Sequence, residues 1–107
     1  MTTATLDDLL PKMVADLVRA FSPLRVILFG SYARGTADAD SDLDLIVVRE
    51  TVTDRRHETG DILRLLARYP IPKDVLLYGR DEFERWRDTR NHVLYAAVRE
   101  GRVLHES

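Results

Sequence analysis

The sequence contains no cysteine among its 107 residues, so disulfides and thiolate metal sites are excluded. No uncharged apolar run approaches the ~20 residues that a membrane span requires. The opening "MTTATLDDLLPK" has acids where a secretory signal would carry bases and then an apolar stretch. Together these absences read as a cytoplasmic protein with no membrane contact. A basic surplus is missing too: 16 Lys and Arg face 18 Asp and Glu, a formal net charge of -2. That balance argues against a nucleic-acid coat, and no direct nucleic-acid binding is expected. There is no internal repeat, low-complexity segment or linker. What remains is 45% hydrophobic, enough to fill one core, and residues 1–107 read as one domain.

Leu10, Met13, Val14, Leu17, Val18 and Phe21 recur at helical spacing, which predicts an amphipathic helix from near Leu6. Thr5 with Asp8 resembles a capping box, and Pro11 falls either inside that helix or at its true first turn. After the break at Ser22-Pro23, "RVILFG" reads as a buried strand ended by Gly30, and "DLDLIVV" as a second. A helix from about Asp54 to Tyr69 carries Ile62, Leu65, Leu66 and Tyr69 on one face, weakened by Gly60. "PIP" stops it, and "KDVLLYG" is a third strand. Asp81 is expected to cap a short helix bearing Phe83 and Trp86, with Glu84 three residues on. Asn91 is expected to start a last helix closed by Gly101, and "RVLHE" to add an edge strand. The order predicts a small α/β (α+β) domain with a mixed β-sheet packed with helices.

The chemistry concentrates in "FGSYARGTADADSDLDLIVV". Gly30 lets a ligand approach the backbone where the strand turns, and Ser31 is expected to cap a short helix whose free N–H groups suit a phosphate. The same residues also read as a plain turn. A P-loop is excluded: Gly30 and Gly35 have the spacing, but Thr36 replaces the lysine. Asp42 and Asp44 point to one face of their strand, ~6.5 Å apart, and can converge on a hard cation. The bland reading is a polar loop running into a strand, and for Asp38 and Asp40 it suffices. Aspartate is poor in strands, so a pair on one face needs a stabilising partner. Asp74 opens the third strand, and if strand starts align it falls beside the pair. Three carboxylates can hold two magnesium ions ~3.5–4 Å apart, with Asp74 placed to take a proton. As a bare strand-start residue it needs no such role.

Gly30-Ser31, ten residues, then Asp42-x-Asp44 resemble the G-S-x10-D-x-D pattern of the DNA polymerase beta-like nucleotidyltransferases. The full stretch with "KDVLLY" and the ending "YAAVREGRVLHES" is similar to the minimal nucleotidyltransferase (MNT) branch. The resemblance implies a nucleotidyltransferase fold and an enzyme that moves a nucleoside monophosphate from MgATP to a hydroxyl. By position, Gly30, Ser31 and Arg34 bind the nucleotide, and Asp42, Asp44 and Asp74 are catalytic and hold magnesium. For Arg34 a solvated helix arginine is the plain alternative. No acceptor domain is expected within 107 residues, so the acceptor site is expected from a second protein or a second copy. Small MNT proteins are similar to antitoxins that add AMP to a tyrosine of a HEPN-domain RNase toxin, and this is the leading functional expectation. Two alternatives stand beside it. One is neutralisation by contact alone, with Phe83, Trp86 and Tyr95 as candidate surface, core packing being the expected use of at least two of them; the other is small-molecule transfer with a helical partner. His57, His92 and His105 are too scattered for a metal cluster. Arg55, Arg56, Arg64 and Arg68 face solvent or an acidic partner, and Tyr32 either stacks on a base or packs.

Overall fold

Continuous apolar runs in "RVILF" and "LDLIVVR" are buried on both faces and "KDVLLYG" alternates with one face buried, so helices must cover the sheet on both sides. The computed structural model describes residues 6–38 and 40–107. In chain order it has α1 (Leu6–Phe21), β1 (Arg25–Phe29), α2 (Ser31–Arg34), β2 (Leu43–Arg49), α3 (Arg55–Leu66), β3 (Lys73–Gly79), α4 (Arg80–Trp86), α5 (Val93–Glu100) and β4 (Arg102–Glu106). The sheet order is β3-β2-β1-β4. β1 runs antiparallel to β2 and to β4, while β2 and β3 are parallel. A parallel pair needs a crossover, and α3 supplies it. The sheet is mixed, as the element order implied. No helix among the described residues is long and apolar enough to cross a membrane.

The two faces are covered unequally. On one, α1 and α3 bring Leu10, Met13, Leu17, Ile62 and Leu66 onto Val26, Leu28, Leu45, Val47 and Leu77. On the other, Phe83, Leu94 and Ala97 from α4 and α5 cover only Ile27, Ile46 and Val48. Phe29, Leu76 and Tyr78 stay half-buried at its rim. Residues alternate along a strand, so Asp44 shares the thinner side with Ile46 and Val48. Asp74 shares it with Leu76 and Tyr78. The uncovered end of this face is where chemistry can reach the sheet.

Several element ends differ from the sequence expectation. Thr5, the expected partner of Asp8, lies outside the described residues. Pro11 sits inside α1, not at its start. α3 is capped by Asp54, whose carboxylate accepts from His57 N–H at 3.1 Å. It ends at Leu66, and Tyr69 follows in a turn, its hydroxyl donating to Asp16 of α1 at 2.5 Å. α4 starts before Asp81, with Gly79 as its cap. Glu82, not Glu84, reaches back to accept from Gly79 N–H at 3.1 Å, because only the third helical position spans that gap. α5 is capped by His92 and not Asn91; His92 Nδ1 accepts from Leu94 N–H at 3.1 Å.

Candidate active site

Gly30 follows β1 with φ 76° and ψ −155°, a conformation that residues with a Cβ rarely adopt. A Cβ there would also collide with Asp44 Oδ2 and stand 3.2 Å from Asp44 Cγ. The glycine turn therefore lies directly against the Asp44 carboxylate. Gly30 is the cap of α2 and Ser31 its first residue, correcting the expectation that Ser31 caps. With no side chain at the cap, Ala33 and Arg34 N–H both donate to the Gly30 carbonyl at 3.1 Å. The preceding N–H groups, of Ser31 and Tyr32, head the turn without a carbonyl inside it. Tyr32 packs against the core cluster on the α1 and α3 side of the sheet, which is the packing use.

Asp44 of β2 and Asp74 of β3 are direct partners in the parallel register. Neighbouring strands lie ~4.8 Å apart, so the two side chains leave the same face side by side. Asp42 precedes β2 by one residue, where Leu43 N–H donates to Pro72 C=O at 2.8 Å and locks the strand starts together. The Asp44 carboxyl is held above the ordinary aspartate range, first by burial, then by the charges of Asp74 and Asp42. Arg34 opposes this, so its guanidinium acts on the same carboxylate.

Asp44 is half-buried, whereas Asp42 and Asp74 are exposed. Among the described residues no three His, Cys, Asp or Glu side chains close to within metal-holding distance. The backbone thus brings the three acids to one place, while their oxygens do not converge as the sequence reading expected. Chemically the set still fits a hard divalent cation: all donors are carboxylate oxygens, and after burial the charges of Asp74 and Asp42 add to what raises Asp44.

The flanking loop behaves as a loop. Asp38 Oδ1 accepts from Asp40 N–H at 2.9 Å and from Ser41 Oγ at 3.2 Å, closing a small polar turn. His57, His92 and His105 lie on separate elements. Of the arginines expected to be solvated, Arg55, Arg64 and Arg68 pair within the chain with Glu82, Asp61 and Asp16. One feature escaped sequence reading: a groove of about 240 Å³ beside Gly30, lined by Phe29, Arg34, Val93, Ala96 and Glu100. Its signal was Val93, Ala96, Ala97 and Glu100 at helical spacing, small residues on a face that meets β1.

Residues 10–99 match the family model described as nucleotidyltransferase domain. Two Methanocaldococcus jannaschii proteins, each named as a candidate protein adenylyltransferase, are similar in sequence. One is 48% identical over 54 residues, 50% of this chain and 52% of that protein. The other is 31% identical over 84 residues, 76% of this chain and 77% of that protein. The chain spans about half the length of the first of these relatives. Among solved structures, a variant of the MntA–HpeT toxin–antitoxin has a TM-score of 0.63 at 22% identity, over 91% of this chain and 72% of that one. A toxin–antitoxin with AMP-PNP has a TM-score of 0.54 at 25% identity, over 90% and 73%. These neighbours share the fold, and the match over residues 10–99 settles the kinship: the chain belongs to the nucleotidyltransferase domain family.

Proposed function

We propose that this chain is a magnesium-dependent nucleotidyltransferase of the cytoplasm that passes AMP from ATP to a tyrosine hydroxyl of a HEPN-domain RNase toxin, acting as its antitoxin. The observation that carries the reading is the in-register pair Asp44 and Asp74 set against the Gly30 turn. Relatives named for protein adenylyl transfer, and a toxin–antitoxin neighbour with AMP-PNP, support ATP as donor and a protein as acceptor.

The Gly30 backbone, the N–H groups at Ser31 and the Ser31 hydroxyl receive the triphosphate tail, with Arg34 adding positive charge beside Asp44. Asp74 takes the proton of the acceptor hydroxyl. The acceptor oxygen bonds to the α-phosphorus as the bond to the β-phosphate bridging oxygen breaks, and pyrophosphate leaves. Asp42, Asp44 and Asp74 would hold magnesium, which supplies charge compensation for the phosphates when bound.

Labelled ATP, magnesium, this chain and a HEPN-domain partner are expected to give label on the partner. Asp44→Asn and Asp74→Asn should each lower transfer about 100-fold or more. No label, or label insensitive to both substitutions, would overturn the proposal. Exposed Trp86 and Val93 favour one second reading, neutralisation by contact alone. It requires that a folded Asp44→Asn, Asp74→Asn double variant still protect cells.

A further inference from the structure

Among the described residues the large apolar side chains left exposed are Trp86, Val93 and Val103. The first two are linked through one residue. Trp86 ends α4 and Val93 begins α5. His92 lies between them, stacked on Trp86 with ring centroids 5.2 Å apart and planes 13° from parallel. Thr89 N–H donates to Trp86 C=O at 3.1 Å and His92 N–H to Thr89 C=O at 2.9 Å, so the turn that presents them is ordered by its own backbone. Val93 is also a wall of the groove of about 240 Å³ at Gly30. An apolar strip therefore runs from Trp86 to the glycine that touches Asp44.

Two arginines stand near Trp86. Arg85 lies 5.9 Å from the Trp86 ring centre, and Arg90 sits exposed in the adjoining turn. Neither has an ion-pair partner among the described residues. Of the nearby acids, Glu84 pairs with Arg87 at 3.7 Å and Asp88 with Arg99 at 3.0 Å, while Asp81 shares the α4 surface of Arg85 on the side away from the α4–α5 turn that holds Arg90.

We propose that this strip docks the acceptor polypeptide, with an apolar side chain of the acceptor in the groove and its acidic residues against Arg85 and Arg90. The proposal rests on the transferase reading and adds to it the chemistry of the partner: an acidic segment that carries an apolar residue near its target hydroxyl. A nucleic acid fits poorly. The groove is walled mainly by Phe29, Val93, Ala96 and Ala97, with Arg34 and Glu100 of opposite charge at its sides; it is of side-chain size, and the chain's net charge is -2.

Trp86 is the chain's one tryptophan, so its emission reports docking without any reaction. The probe is a synthetic peptide with one tyrosine and one leucine among glutamates, titrated with AMP-PNP and magnesium present. A saturable emission change is expected. A peptide with lysines replacing the glutamates should bind at least about 10-fold more weakly, and single-stranded oligonucleotide should give no change. Ala96→Arg, which blocks the groove, and the Arg85→Glu, Arg90→Glu double variant should each weaken peptide binding about 10-fold while Tm holds, and the double variant should keep its AMP-PNP affinity. Silence from Trp86, an equal response to oligonucleotide, or unchanged affinity in both variants overturns the proposal. Label transfer from ATP to the same peptide is scored in parallel. Docking without transfer strikes the transferase reading alone, and transfer without docking strikes this one.

Discussion

At φ 76° and ψ −155° the Gly30 backbone occupies space closed to most residues, and the place of a Cβ is already taken by the Asp44 carboxylate. Gly35 shares the φ of 76°, yet a Cβ there would meet nothing within 4 Å. The two glycines separate backbone strain from contact. Gly35→Ala carries strain alone, a cost of about 1 kcal/mol, and should keep its activity. Gly30→Ala adds displacement of Asp44 and should cost ~2–3 kcal/mol with transfer lost. Thermal melting and label transfer on both variants check this; equal loss of activity in the two would show that the contact does not matter. The spacing of Gly30, Ser31, Asp42 and Asp44 was legible as a motif because strand alternation and a glycine stop leave marks in sequence. The directions of the three carboxylates were not. Rotamers of exposed acids follow local repulsion, which no spacing encodes.

Carboxylates fix the starts of α3 and α4: Asp54 and Glu58 at the first, Glu82 at the second. Glu58 of α3 accepts from Thr53 N–H at 2.9 Å, from Asp54 N–H at 2.8 Å and from Arg49 of β2 at 2.5 Å. It fastens the crossover to the strand that carries Asp44. The Asp54 N–H foremost, against some burial, and then Thr53 N–H and Arg49 hold its carboxyl below the usual glutamate value of 4.5. Folding therefore favours the ionised form, and the stabilisation is full above pH 4.5 and fades as pH falls through the lowered value. Glu58→Gln should lose about 1–3 kcal/mol in urea unfolding at neutral pH. The gap should close in acid, and a gap independent of pH would deny the ionised contact its part. Periodicity made the helices and strands readable, since burial imposes it. Caps were read one or two residues off at Asp81 and Asn91, because a cap is decided by backbone angles and side-chain reach. The groove between α5 and β1 joins residues more than sixty positions apart, and its parts carry no mutual sign in the sequence.

Across the molecule, α1 and α3 seal one face of the sheet while α4 and α5 leave the other open at the end that bears Asp44 and Asp74. A like-charged pair at an open edge lowers stability unless a cation joins it. The Asp44 carboxyl sits above its ordinary value of 3.8, so its charged form is disfavoured in the fold. That penalty is present above the raised value and disappears as pH falls through it. Asp44→Asn should therefore raise the Tm of the metal-free protein at neutral pH. After solvent screening the gain is about 0.5 kcal/mol, or ~2–4 °C, and it should shrink in acid. With magnesium and AMP-PNP at about 100 times their Kd, the wild-type chain should gain ~2.7 kcal/mol, while Asp44→Asn and Asp74→Asn gain little. Chelation with EDTA should return the wild type to its starting Tm. The order of stabilities is then reversed by ligand: the variant is the firmer protein without magnesium and the weaker one with it. Scanning calorimetry in the two conditions tests that reversal, and parallel shifts in all three proteins would mean that the carboxylates do not hold the ion.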